Sequence, residues 1–284
     1  AGALDADRLN PLLDFLGARA ATSPIAPAPR LDLAHLLWYA GALIVIGAMG
    51  LFSTLAFSAM GGWALTATAL AYATVFTVAG HYLWHRKNLR VPGGLLIAIA
   101  VSMAPLAVYG IQDAMGLWGH FGRPGTVREF YVWIKGSWVW MEVAAIVAAV
   151  VALWRYPYPF IVLILAFALW FMSMDLAPWI FGRAEFSWDE RRVVSLWFGL
   201  AVLVVAYLVD RNPRGGDFAF WLHLFGLMAF WGGLSLTNSG SEMGKLIYFA
   251  LNVGLLLMSV LLGRRVYAVF GTLGIAGYLG HLSY

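Results

Sequence analysis

Nine apolar runs, each at or near the length needed to cross a bilayer, follow one another along this chain with little between them. They lie at about 34–57, 62–84, 92–112, 132–153, 158–180, 192–209, 218–236, 245–262 and 266–283. A spanning helix needs about 20 apolar residues. In hydrocarbon every backbone N–H and C=O must find its partner inside the chain, so such runs become helices. The sequence therefore predicts an all-α fold, a polytopic transmembrane helical bundle of eight or nine spans. The last run, short and rich in glycine, decides between the two counts. Of 284 residues, 62% are hydrophobic and only 11% are charged. A soluble domain carries about 25% charged residues, so this chain has too few to coat a water-facing surface. The spans also leave no room for a separate soluble catalytic domain.

Two regions are expected. Residues 1–33 read as an interfacial segment, with Leu9, Leu12, Leu13 and Leu16 near helical spacing before a Pro/Ala linker at 23–30, and residues 34–284 read as the bundle. The opening AGALDADRLNPLLDFLG is too acidic and too broken to read as a cleavable signal. Pro92, Pro157 and Pro159 stand where helices start, which suits a residue without an N–H. Pro105 is interior and should kink the third span, and Pro178 should end or bend the fifth.

Orientation follows from Lys and Arg. The side holding the N-terminus carries eleven and the opposite side seven, which predicts a cytoplasmic N-terminus. The net charge of +4 is thus read as an orientation signal, not as a nucleic-acid surface. Trp84, Trp154 and Trp221 fall at predicted inner boundaries, and Trp63, Trp133, Trp179 and Trp188 at outer ones, where indole rings anchor at the headgroups. The longest connections, 113–131 and 181–191, are expected outside.

Ionisable groups within spans are costly and so mark candidate sites. Glu142 and Asp175 are the two that stand out, both in the half of the membrane opposite the N-terminus. Lys135, seven residues before Glu142, lies on the same helical face. Arg183, Arg191 and Arg192 are alternative partners, and Trp138, Trp140, Trp179 and Trp188 ring the region. The set Glu142, Asp175, Lys135, Arg183, Trp138 and Trp179 is the candidate ion or substrate site. The competing reading is that each carboxylate is interfacial or salt-bridged and holds helices together. His35, His81, His85 and His223 share a depth near the other surface, and His35, His81 and His223 are candidate haem or metal ligands on different helices. Depth without lateral position is thin support, so no cofactor is expected. With no cysteine, thiolate metal sites and disulfides are excluded.

Gly41, Gly47 and Gly50 in the first span, and Gly271, Gly274, Gly277 and Gly280 in the last, predict close helix contacts within the chain or with a neighbour. Asn252 and Ser102 are read as bonding across helices. No HExxH, GxSxG, Walker-type lysine motif or in-span paired-carboxylate motif is present, and no internal repeat is visible.

The stretches LLWYAGALIVIGAMGLF (36–52) and VYAVFGTLGIAGYLGHLSY (266–284) resemble, in hydropathy layout and Gly/Tyr placement, bacterial predicted membrane proteins of the domain of unknown function 2157. The resemblance implies a multi-span bacterial inner-membrane protein and carries no catalytic residue with it. On the sequence alone the first expectation is a non-enzymatic accessory or scaffold component of a larger membrane assembly, in contact with lipid and with other subunits or copies of itself. The alternatives are a transporter of a small solute or lipid using the outer carboxylates, and a haem or metal protein.

Overall fold

The computed structural model of the chain describes residues 33–117, 138–180, 187–211, 217–236 and 241–282, and among them all regular structure is helical. The contacts divide the chain into Ala1–Leu37 and Trp38–Tyr284, and the sites below lie in the second unit. The expected interfacial helix at 8–19 falls outside the described residues.

The helices, in chain order, are α1 (Leu33–His85), α2 (Arg90–Ser102), α3 (Ala104–Ala114), α4 (Val139–Arg155), α5 (Phe160–Ile180), α6 (Trp188–Asp210), α7 (Phe218–Ser235), α8 (Glu242–Leu262) and α9 (Arg265–Leu282). Helix α1 covers the first two apolar runs, α2 and α3 share the third, and α4 to α9 follow the remaining six. Six stretches are long and apolar enough to cross a membrane: Gly61–His85, Arg90–Ala114, Phe160–Ala177, Trp188–Asp210, Phe218–Ser235 and Glu242–Leu262. The expected count of eight or nine is thus reached only in part among the described residues. The 17 residues of α4 rise only about 26 Å at 1.5 Å each, against about 30 Å of hydrocarbon.

Helix α1 is broken at Gly61, whose φ of 70° and ψ of 160° lie outside any helix. Only glycine takes that conformation without a steric cost, so the break replaces the short loop expected between the first two spans. The arm before Gly61 starts beside the first turns of α5 and α7, where Tyr39 packs on Phe160 and Trp221. The arm after it starts beside the last turn of α3, with Gly62 against Gly110 and Ala114. The chain therefore reverses at Gly61. Helices α2 and α3 form one span interrupted at Met103, and Pro105 stands in the first turn of α3. The missing N–H and the ring of Pro105 forbid an uninterrupted helix there. Helix α5, by contrast, continues through Pro178 to Ile180.

Short turns alternate the helices, so one end of the molecule carries the turns 86–89 and 156–159, the Gly263–Arg264 turn, and the end of α6 with the start of α7. Contacts across it confirm the grouping, since Arg155 reaches His85 and Arg264 reaches Asp210 and Asp217. At the other end Ser187 and Glu190 form a reciprocal capping box at the start of α6.

The core gathers around Ala98, Ala149, Phe160 and Ile161, all fully or nearly fully buried. Small residues set the helix separation. A side chain on Gly199 would strike the backbone of Gly226 and Phe230, so α6 and α7 touch almost backbone to backbone. Outward faces are apolar, as at Val260 (81% exposed) on α8, which suits lipid contact. Trp154 is exposed as a membrane anchor would be, but Trp221 is not. Its ring is buried between Tyr39 and Phe160, because on α7 that position faces the core and not the surface.

Candidate functional site

Helices α4 and α5 form an antiparallel hairpin with a four-residue turn. Glu142 lies 13 residues before the last residue of α4, Arg155, and Asp175 lies 15 residues after the first residue of α5, Phe160. Nearly equal distance from the turn brings the two to about one level, roughly 20 to 22 Å from it at 1.5 Å per residue. Both side chains point inward, at 6% and 8% exposure, and the two carboxyl groups act directly on each other. Among the described residues no other group hydrogen-bonds any of their four oxygens. Two like charges side by side in a medium of low dielectric repel strongly, so the pair is suited to hold something positive between them, a proton or a small cation. Arg191, in the first turn of α6 and half-buried, also acts on Asp175.

The other expected members of this set fall out differently. Trp138 caps the start of α4 one turn from Glu142. Trp179 is in the last turn of α5. Lys135 and Arg183 lie outside the described residues, and the cation the structure brings to the pair is Arg191.

A second cluster closes the opposite end. Arg264, in the turn between α8 and α9, donates from Nε and Nη2 to Asp210 (3.0 and 2.5 Å) and from Nη1 and Nη2 to Asp217 (2.7 and 3.0 Å). Asp210 ends α6, and Asp217 caps α7 by accepting from the Phe220 N–H. The two aspartates, above all the hydrogen bonds that Asp210 accepts, hold the guanidinium above its ordinary pKa. His223 is fully buried beneath, with Nδ1 2.8 Å from the Tyr267 hydroxyl and Nε2 3.3 Å from Asp210. One cation thus ties two helical hairpins together through charge-assisted bonds on both sides.

His81 and His223 are not brought together. His223 belongs to this network, while His81 bonds the Tyr156 hydroxyl at 2.9 Å and stacks near His85. His35 is helical, in α1. Among the described residues no three His, Asp or Glu side chains are grouped to hold a metal ion.

Sequence reasoning missed the Arg264 clamp. A signal was present: beyond residue 33, Asp210 and Asp217 are the only acidic residues on the N-terminal side of the predicted topology. Counting Lys and Arg alone passed over them.

The fold and these two sites define the class, a helical protein with several membrane-crossing helices. No protein-family model, curated protein or solved structure matches the chain.

Proposed function

We propose that this protein is a transporter of a small solute, with eight or nine spans and a cytoplasmic N-terminus in a bacterial inner membrane, that takes up a proton or small cation at Glu142 and Asp175. The observation that carries this reading is the pair itself. Two adjacent carboxyl groups are sunk among apolar helices, and among the described residues no hydrogen-bond donor reaches any of their four oxygens, with Arg191 acting on Asp175 only through its charge. A purely structural carboxylate in such a place is ordinarily paired with a cation or satisfied by donors. Binding a cation or proton removes the repulsion, and releasing it restores the repulsion, which is how a coupling ion biases two states of a carrier.

The test is carbodiimide labelling, which modifies protonated carboxyls in apolar surroundings. Glu142 or Asp175 should be labelled in the purified protein, and protons or sodium should compete with one another at the site. Reconstituted vesicles carrying Glu142→Gln with Asp175→Asn should lose proton- or sodium-dependent uptake while the protein remains folded. Unlabelled carboxyls together with unchanged uptake would sink the reading.

A second reading, an accessory subunit of a larger membrane assembly, draws on a different observation. Gly41, Gly47 and Gly277 have open space where a side chain would stand, as a helix face does when a neighbouring helix packs on it closely. A monomeric chain with no co-purifying partner in mild detergent would dispose of it.

A further inference from the structure

At the end that carries the Arg264 clamp, the turn between α1 and α2 meets the end of α4. Trp84 packs edge-on against Tyr156 and Tyr158, with ring centroids 5.8 and 6.3 Å away. Arg90 lies over Trp84 at 6.0 Å and Arg155 over Tyr156 at 5.2 Å. Two guanidiniums therefore flank one aromatic floor. His85 adds an imidazole, its Nε2 3.2 Å from Nη1 of Arg155. Arg86 and Lys87 extend the positive rim, and Arg86, Lys87, Arg90 and Arg155 are all exposed.

Nothing negative answers these charges among the described residues. No carboxylate pairs with Arg86, Lys87, Arg90 or Arg155. The two acidic groups of this end among the described residues, Asp210 and Asp217, are both bound by Arg264. The corner also lies where two apolar helices long enough to cross the membrane, Gly61–His85 and Arg90–Ala114, both end. In an inserted chain that is the level of the lipid phosphates. Arginine is suited to a phosphate through its forked donors, and an aromatic ring holds the fork in place. Basic corners between membrane helices are the places where anionic headgroups collect.

We propose that this corner binds the headgroup of an anionic phospholipid, with Arg90 and Arg155 gripping the phosphate over the Trp84–Tyr156 floor. The site is independent of the carboxylate pair and stands whether or not the chain is a transporter. Its test uses the full chain in mild detergent, titrated separately with phosphatidylglycerol, phosphatidylcholine and inorganic phosphate. Lipid retained in native mass spectrometry and the unfolding midpoint are the readouts. Phosphatidylglycerol should be retained and should raise the midpoint, whereas phosphatidylcholine and inorganic phosphate should do neither. Arg90→Gln with Arg155→Gln should weaken phosphatidylglycerol binding about tenfold or more, as expected for the loss of charge-assisted bonds. Arg86→Gln with Lys87→Gln removes the same charge away from the floor and should weaken it much less. Should the first double variant fail to fold, Arg155→Gln alone replaces it, since that side chain is exposed. Equal binding of both lipids, equal loss in both double variants, or equal protection by inorganic phosphate would each overturn the proposal.

Discussion

At one end of the helices Asp210 and Asp217 give both carboxylates to a single guanidinium, and every charged atom in that cluster has a partner. At the other end Glu142 and Asp175 face each other, with no such donor on their oxygens among the described residues. The difference is not one of depth alone. The clamp is a quarter exposed, at 23% for Arg264 and 25% for Asp210, yet it is satisfied. The carboxylate pair is under a tenth exposed and is not. A fold that needed only stability would have arranged these the other way round, since an unsatisfied buried charge costs more than a half-exposed one. The clamp therefore reads as architecture and the pair as a place kept open for something that comes and goes.

Removing the cation from the clamp should give the largest effect. Arg264→Gln leaves two aspartates facing each other and should destabilise the chain by about 3 kcal/mol, measured by denaturant unfolding in detergent. If the clamp were surface decoration the change would stay under about 0.5 kcal/mol. Treating the pair in the same way should move stability in the opposite direction. Glu142→Gln with Asp175→Asn removes repulsion without changing shape and should stabilise by about 1 kcal/mol, and a clear loss would show that the pair holds helices together. Tyr267→Phe should cost about 1 kcal/mol, the value of one buried hydrogen bond to His223. Finally, carbodiimide should modify Glu142 or Asp175 and leave Asp210 and Asp217 untouched, as read by peptide mass mapping. Equal labelling at both ends would erase the distinction.

The contrast also marks what a sequence of this kind discloses. Apolar runs are local, so the helical segments were legible, as was the interruption that Pro105 causes, but the joining of the first two runs into one helix broken at Gly61 was not. Glu142 and Asp175 were legible because an ionisable group stands out against its apolar neighbours. Their grouping was expected from shared depth alone; the level at which they meet depends on the register of the α4–α5 hairpin, which no local pattern carries. Arg264 joins groups 47 and 54 residues away, and no local pattern announces which arginine in a row of topogenic ones turns inward. His81 and His223 share a depth, but helix packing sends one to Tyr156 and the other to Tyr267. The burial of Trp221 is a lateral fact of the same kind.

Asn252 of α8 is wholly buried, accepts from the Trp231 indole on α7, and donates to the carbonyl of Tyr248 one turn back. Its amide occupies the space where Gly274 of α9 would carry a side chain. The amide acts as a peg and the glycine as its socket, so α8 and α9 cannot slide past each other without withdrawing a polar group into apolar surroundings. Whatever shape changes accompany this protein's work, the last two helices must travel as one piece, swinging about the Arg264 end or staying still.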